Sequence, residues 1–285
     1  MKSIVFTEKN KAELLEENIP VPGDNDVLVK LCVSTVSSGT ERANISGEKN
    51  VSIGYEYVPF PRRSGYSSSG IVEKAGKNVS EIKAGDRVAL YWSLHSQYVC
   101  VNQRNAVKIE DDSISFNEAA LWHIGTFPLA AIRKCHVEIG ESAIVMGMGV
   151  LGMIAVKLLK AAGAAPVIAA DPVAEKREKA LEIGADYAFD PTDCNFSEKV
   201  KEVTNGGVNA AIEVTGFGAA LDNVLDCMKR FGRVALLGCT RNSDFTIDYY
   251  KKVHGPGISL IGAHTLARPE IESYPGMWTI RDDMK

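Results

Sequence analysis

The chain has 285 residues, 45% of them hydrophobic, with 32 basic against 36 acidic side chains and a net charge of −4. That length and apolar content suffice for one or two full cores, and the balanced charge excludes a nucleic-acid surface: no basic cluster extends beyond Pro61-Arg62-Arg63 and the mixed stretch near Lys176. The amino terminus carries acids and no long apolar segment, and no apolar run approaches bilayer span. The expectation is a cytoplasmic protein with no membrane partner, whose six scattered cysteines are buried thiols.

Residues 1 to about 120 read as β-rich. Lys2 to Thr7 and Ala12 to Glu17 are short, partly alternating runs, and Pro20-Val21-Pro22-Gly23 is a turn cluster. Asp26 to Val33 alternates as a half-buried strand does. After a loop-like stretch to Ser64, strand patterns recur at Ser69 to Gly76, Gly85 to Leu90 and Gln97 to Val101. Many short strands with Gly and Pro punctuation predict a small barrel.

At Ser115 the texture changes. Ser115-Phe116-Asn117-Glu118 has the spacing of a capping box, and a helix is expected through Ala130 and Ala131. From Gly140 onward, strand and helix patterns alternate. Helices are expected at Pro172 to Ile183, Ser197 to Val203 and Phe217 to Lys229. Strands are expected at Tyr187 to Phe189, Asn209 to Val214, Arg233 to Leu237 and Ile258 to Gly262. Alternation of this kind predicts a doubly wound parallel sheet and an α/β fold class.

The most informative stretch is residues 140–171. Ala143 to Met146 has the length of a buried strand and runs into Gly147-Met148-Gly149-Val150-Leu151-Gly152, a G-x-G-x-x-G. Behind it Val150, Leu151, Ile154, Ala155, Leu158, Leu159 and Ala162 fall on one helical face, which Gly163 ends. A second apolar run, Pro166 to Ala170, finishes on Asp171, about 20 positions beyond the last glycine. Each part has a physical task. Gly147 permits the tight turn, Gly149 lets a pyrophosphate approach the backbone, and Gly152 lets the helix lie close on the sheet. The Asp171 carboxylate accepts ribose hydroxyls and repels a 2′-phosphate, which favours NAD over NADP.

Taken together these residues resemble the medium-chain dehydrogenase/reductase superfamily, the group of zinc alcohol dehydrogenases and quinone reductases. The likeness rests on Gly85-Asp86-Arg87-Val88, on Gly147 to Gly152, and on Asp171 with Glu175-Lys176-Arg177 and Gly184-Ala185-Asp186. It implies a GroES-like β-barrel catalytic domain over 1–120 and a Rossmann dinucleotide-binding domain over 121–265, with the active site in the cleft. Residues 266–285 then begin a return segment that is incomplete or naturally short. It also implies that Thr126 lies beside the nicotinamide and that Val150, Leu151, Lys176, Thr215 and Gly238 line the cofactor. The last strand, near Ile258 to Ala263, would pair edge to edge in a homodimer.

The resemblance makes the metal question decisive. Zinc members carry a cysteine in a C-G-T-D-like loop, a Gly-His-Glu, and a third ligand ahead of the nucleotide motif. Here the corresponding residues are Ser38-Gly39-Thr40-Glu41, Gly65-Tyr66-Ser67 and Trp122, and the four-cysteine structural lobe has no counterpart. His123 and His95 are conceivable ligands or packed histidines. The expectation is a zinc-independent site with no metal. Thr40 then serves as proton donor or as a local loop cap; Tyr66 serves as general acid or fills space. Glu41 polarises one of them or caps the helix-like stretch Arg42-Ala43-Asn44. The string Ser38 to Arg42 is similar to that of the zinc-lacking bacteriochlorophyllide dehydrogenases. The expected function is NAD(H)-dependent interconversion of a secondary alcohol and a carbonyl on a small-molecule substrate. Reduction of a quinone or enone C=C bond, and NAD(H) binding without chemistry, are the alternatives.

Overall fold

The structure, a computed structural model, describes residues 1–52, 57–243 and 245–285. Residues 53–56 of the loop-like stretch before Ser64, and residue 244, lie outside the described residues. The chain forms two compact units, Met1–Ile124 with Met284–Lys285, and Gly125–Asp283.

The first unit holds strands β1 (Lys2–Glu8), β2 (Lys11–Glu16), β3 (Asp26–Ser34), β4 (Arg62–Arg63), β5 (Ser67–Ala75), β6 (Arg87–Tyr91), β7 (Tyr98–Asn102) and β8 (Ala106–Lys108), with helices α1 (Ser38–Ile45) and α2 (Phe116–Ala119). They build the GroES-like domain from two antiparallel sheets, ordered β2-β1-β4 and β7-β3-β5-β6-β8. The period-2 pattern sets the inner face: Val27 and Val29 of β3 meet Val99 and Val101 of β7, with Val72, Val88 and Leu90. The capping box forms as expected. Ser115 Oγ accepts from the Glu118 N–H at 3.2 Å and the Glu118 carboxylate accepts from the Ser115 N–H at 2.8 Å.

The second unit contains most of α3 (Trp122–Lys134), then β9 (Ala143–Met146), α4 (Val150–Ala161), β10 (Val167–Ala170), α5 (Ala174–Glu182), β11 (Tyr187–Phe189), α6 (Phe196–Val203), β12 (Val208–Glu213), α7 (Gly218–Asp226), β13 (Met228–Leu236) and β14 (Ser259–Gly262); α8 (Ile280–Met284) follows. The six strands form one parallel sheet in the order β11-β10-β9-β12-β13-β14. Chain order reverses between β9 and β12, which is the doubly wound arrangement with its switch point at β9. Both faces are covered, so the central strands β9 and β10 are apolar throughout rather than alternating. Ala143, Val145, Val167 and Ala169 face Ala155, Val156 and Leu159 of α4. Ile144, Met146, Ile168 and Ala170 share the other face with Phe196, Val200, Leu221 and Val224 of α6 and α7.

Two expectations are corrected. The helix expected to run to Lys229 ends at Asp226, and β13 starts at Met228. Met228 pairs with Val208, the next pairing joins Ala210 to Arg233, and the residues between bulge out of the ladder. Parallel pairing with a buried strand outweighs helix continuation there. The cysteines are not uniformly buried: Cys135 and Cys227 are, and burial pushes both thiols up to about 12. Cys32, Cys194 and Cys239 are exposed, Cys32 because it lies on the solvent side of β3.

Candidate functional site

In the second unit the site begins where β9 ends. Gly147 turns the chain with φ +101°, a conformation open to glycine, and its N–H donates to Ala170 O at 2.7 Å. A side chain at Gly152 would place its Cβ 1.9 Å from Gly147 O, so only glycine lets α4 close onto the turn. Gly149, the residue before α4, is different: a Cβ there would meet nothing within 4 Å. Open space over a backbone at the positive end of a twelve-residue helix is a cradle for an anion such as a pyrophosphate. Val150 is exposed and Leu151 half-buried at its rim.

Asp171 stands just past β10 and is buried. Its Oδ2 accepts from the Met148 N–H at 2.8 Å and its Oδ1 from the Val173 N–H at 2.9 Å, while Lys176 Nζ is 3.6 Å away. Each oxygen keeps a lone pair for a hydroxyl donor. The same carboxylate thus ties the glycine loop to the second strand and can receive a ribose. Thr215 packs its methyl against Gly147, and its hydroxyl and N–H both donate to Glu213 Oε1, the N–H at 2.7 Å. Gly238 is required by close packing, because a Cβ there would lie 2.2 Å from Gly216 N. Thr126 is buried in α3, and its carbonyl accepts from Arg268 Nη2 at 2.9 Å. Gly147 to Gly152, Asp171 and Thr215 therefore come together at the carboxyl edge of the sheet.

Glu213 was not singled out from the sequence, yet it holds the Thr215-Gly216 turn. Burial pushes its carboxyl above the usual range, although the Thr215 hydroxyl and the Thr215 and Gly216 N–H groups act against this. The folded state therefore holds this proton to higher pH than the unfolded chain. Its contribution to stability is full below the ordinary glutamate value and is lost as pH rises through the raised one. Relative to Glu213→Gln, the wild-type protein should lose stability as pH rises above about 4.3. Denaturant titrations of both proteins from acid to neutral pH check this, and parallel curves would reject it.

In the first unit, α1 carries Thr40 and Glu41, and Tyr66 lies just before β5. Thr40 Oγ1 is 3.5 Å from Ser37 Oγ, and its carbonyl accepts from Asn44 Nδ2 at 3.0 Å. Tyr66 is half-buried in an aromatic group. Its ring is edge-on to His123 at 5.6 Å and tilted to Trp92 at 6.4 Å, and His123 is also 5.0 Å from Trp92 and 5.5 Å from Tyr91. His123 is fully buried there as a packed ring. Trp92 has φ +58°, strained for a bulky residue, with an exposed ring.

Glu41 departs from both of its expected uses. Its carboxylate turns to His95, with Oε1 3.2 Å from Nε2, and to the Ser64 hydroxyl, rather than to Thr40 or Tyr66. A buried carboxylate takes the donors nearest to it, and those come from residues distant in sequence. Ser38, Tyr66 and Trp122 occupy the positions where the resemblance expects metal ligands, and none offers a thiolate, imidazole or carboxylate. Among the described residues no three His, Cys, Asp or Glu side chains converge as a metal site.

Comparison with known proteins agrees with this architecture. Residues 23–127 match the family model described as an alcohol dehydrogenase GroES-like domain, and residues 150–280 match that of a zinc-binding dehydrogenase. Among curated relatives, D-guloside 3-dehydrogenase of Escherichia coli is 24% identical over 96% of this chain and 84% of its own length. Sorbitol dehydrogenase of Bacillus subtilis is 27% identical over 87% and 78%. Among solved structures, benzyl alcohol dehydrogenase from Acinetobacter calcoaceticus superposes with a TM-score of 0.81 at 25% identity, covering 92% of this chain and 83% of that one.

Proposed function

Because the chain belongs to the medium-chain dehydrogenase/reductase superfamily as an alcohol dehydrogenase-like oxidoreductase, we propose that it interconverts a secondary alcohol and a carbonyl with NAD(H) and without zinc. The observation that carries this reading is a pairing. One unit has a glycine loop open at Gly149 beside a buried Asp171. In the other, the residues that the resemblance aligns with the family's metal ligands are Ser38, Tyr66 and Trp122. The donor set does not fit zinc, and no step is assigned to a metal. The cradle does fit a dinucleotide. Gly147, Gly149, Gly152 and the first residues of α4 would hold the pyrophosphate, and Asp171 the adenosine ribose. A bound nicotinamide supplies the hydride acceptor or donor.

The protein's own groups handle the proton. An alcohol loses its O–H proton as its C–H hydride leaves, and a carbonyl gains one in the reverse direction. Thr40 and Tyr66 are the hydroxyls assigned to that oxygen, as hydrogen-bond donor and as acid or base. This reading places the chain in the zinc-lacking branch resembling bacteriochlorophyllide dehydrogenases. It comes with a cytoplasmic location, a small-molecule substrate, and a second copy meeting the open edge of β14, whose outer side has no partner strand among the described residues.

Cofactor choice and metal independence are tested together. NADH at about 100 times its dissociation constant should stabilise the protein by about 2.7 kcal/mol, and NADPH at the same concentration should stabilise it less. Alcohol-dependent NADH formation should survive dialysis against a zinc chelator. Turnover lost to the chelator and restored by zinc would reject the metal-free site. A response to NADPH alone would reject the role of Asp171. Activity on quinones or enones but on no alcohol would move the reaction to C=C reduction. Tight NADH binding without turnover across alcohols and carbonyls would leave a binding protein.

A further inference from the structure

The first unit contains a buried polar cluster that the reaction above does not use. Ser34 ends β3, Glu41 lies in the first turn of α1, Ser64 precedes Gly65 and Tyr66, and His95 lies between β6 and β7. His95 Nδ1 is 2.9 Å from Ser34 Oγ, its Nε2 is 3.2 Å from Glu41 Oε1, and the Ser64 hydroxyl donates to Glu41 Oε2. The His95 and Glu41 side chains are only 4% and 10% exposed. Burying a carboxylate is costly unless its oxygens are hydrogen-bonded, and an apolar pair of similar volume would serve stability as well or better.

The His95 N–H donates to Ser64 O at 3.0 Å and the Trp92 N–H to Tyr66 O at 2.8 Å, so the turn after β6 runs beside the segment that carries Tyr66. The approach is close enough to require glycine at position 65. Its φ is +111°, and a Cβ would lie 2.7 Å from His95 N. Glu41, one residue after Thr40, then joins α1 to both of these connecting segments. We propose that His95 is a positioning residue which, through Glu41 and Ser64, holds Thr40 and Tyr66 in the relation the reaction requires. The inference rests on the acid–base reading of those two hydroxyls.

The test uses the full chain with NADH, plus ring-¹³C tyrosine labelling in which the Tyr66 signal is assigned with Tyr66→Phe. His95→Leu and Glu41→Gln should each lower kcat about 10- to 100-fold, leave NADH affinity unchanged, and displace the Tyr66 signal but not that of Tyr187. The double variant should be no worse than the poorer single one, because both break one network. His95→Gln should recover much of kcat, since its amide can donate to Glu41 and accept from Ser34. If His95→Leu does not fold, Glu41→Gln and His95→Gln carry the same comparison. Folded variants with wild-type kcat, or with an unmoved Tyr66 signal, overturn the proposal. If Thr40→Ala and Tyr66→Phe retain full turnover while the Tyr66 signal still moves in His95→Leu, the acid–base reading falls and the coupling of His95 to Tyr66 stands.

Discussion

Replacing Gly152 by valine should lower the melting temperature and weaken NADH binding, whereas Gly149→Ala should weaken binding and leave the melting temperature in place. The two glycines differ in what surrounds them. At Gly152 the new Cβ would lie 1.9 Å from Gly147 O, a backbone oxygen that cannot rotate away. Reaching ordinary contact near 3.5 Å requires α4 to lift from the turn. Overpacking of this kind costs about 3 kcal/mol, the upper end of its usual range, or about 6 °C or more in a unit of this size. Lifting α4 also withdraws the N–H groups proposed to receive the phosphates. Loss of two such charge-assisted bonds lowers affinity about 100-fold or more. At Gly149 the methyl enters empty space, so the fold is indifferent and only an incoming ligand is obstructed. Thermal unfolding and NADH fluorescence titration of both variants check the contrast. Wild-type affinity in Gly149→Ala would mean that no pyrophosphate crosses this backbone.

Thr40→Ala and Tyr66→Phe should each depress turnover about 10²-fold or more if the removed hydroxyl carries the proton. The reason is electrostatic. Without a Lewis acid, charge developing on the substrate oxygen needs a hydrogen-bond donor placed before the reaction begins. Tyr66→Phe removes one oxygen alone, whereas Thr40→Ala removes a methyl together with the hydroxyl. Tyr66→Phe preserves the edge-on packing against His123 and the contact with Trp92, so folding and NADH affinity should hold. A loss confined to kcat identifies a group acting in the transition state, and a loss confined to KM identifies binding. Unchanged turnover in both variants would sink the acid–base assignment. Loss in one alone would settle which hydroxyl moves the proton, a choice the sequence leaves open.

Much of the fold was legible because its signals are local. The buried strand Ala143–Met146, the glycine turn and the apolar face of α4 lie within one short stretch, and each follows from the residues beside it. The capping box at Ser115 and Glu118 spans three residues and forms as read. Where a strand is short or its pairing distant, local signals fail. The two-residue β4 and three-residue β8 have no period to detect, and the end of α7 is decided by Met228 pairing with Val208. Exposure of Cys32, Cys194 and Cys239 likewise depends on which face each residue takes.

By itself the sequence determined the α/β class, the order of the elements and the glycine loop with Asp171, since glycine's missing Cβ and a strand-end carboxylate act on atoms close by in the chain. Only the tertiary structure decided what Glu41 does, because its partners Ser64 and His95 arrive from segments 23 and 54 positions away. Only it brought Trp92 and His123 around Tyr66. A buried polar group must find its partners in three dimensions, and which donors reach it is settled when the strands pack.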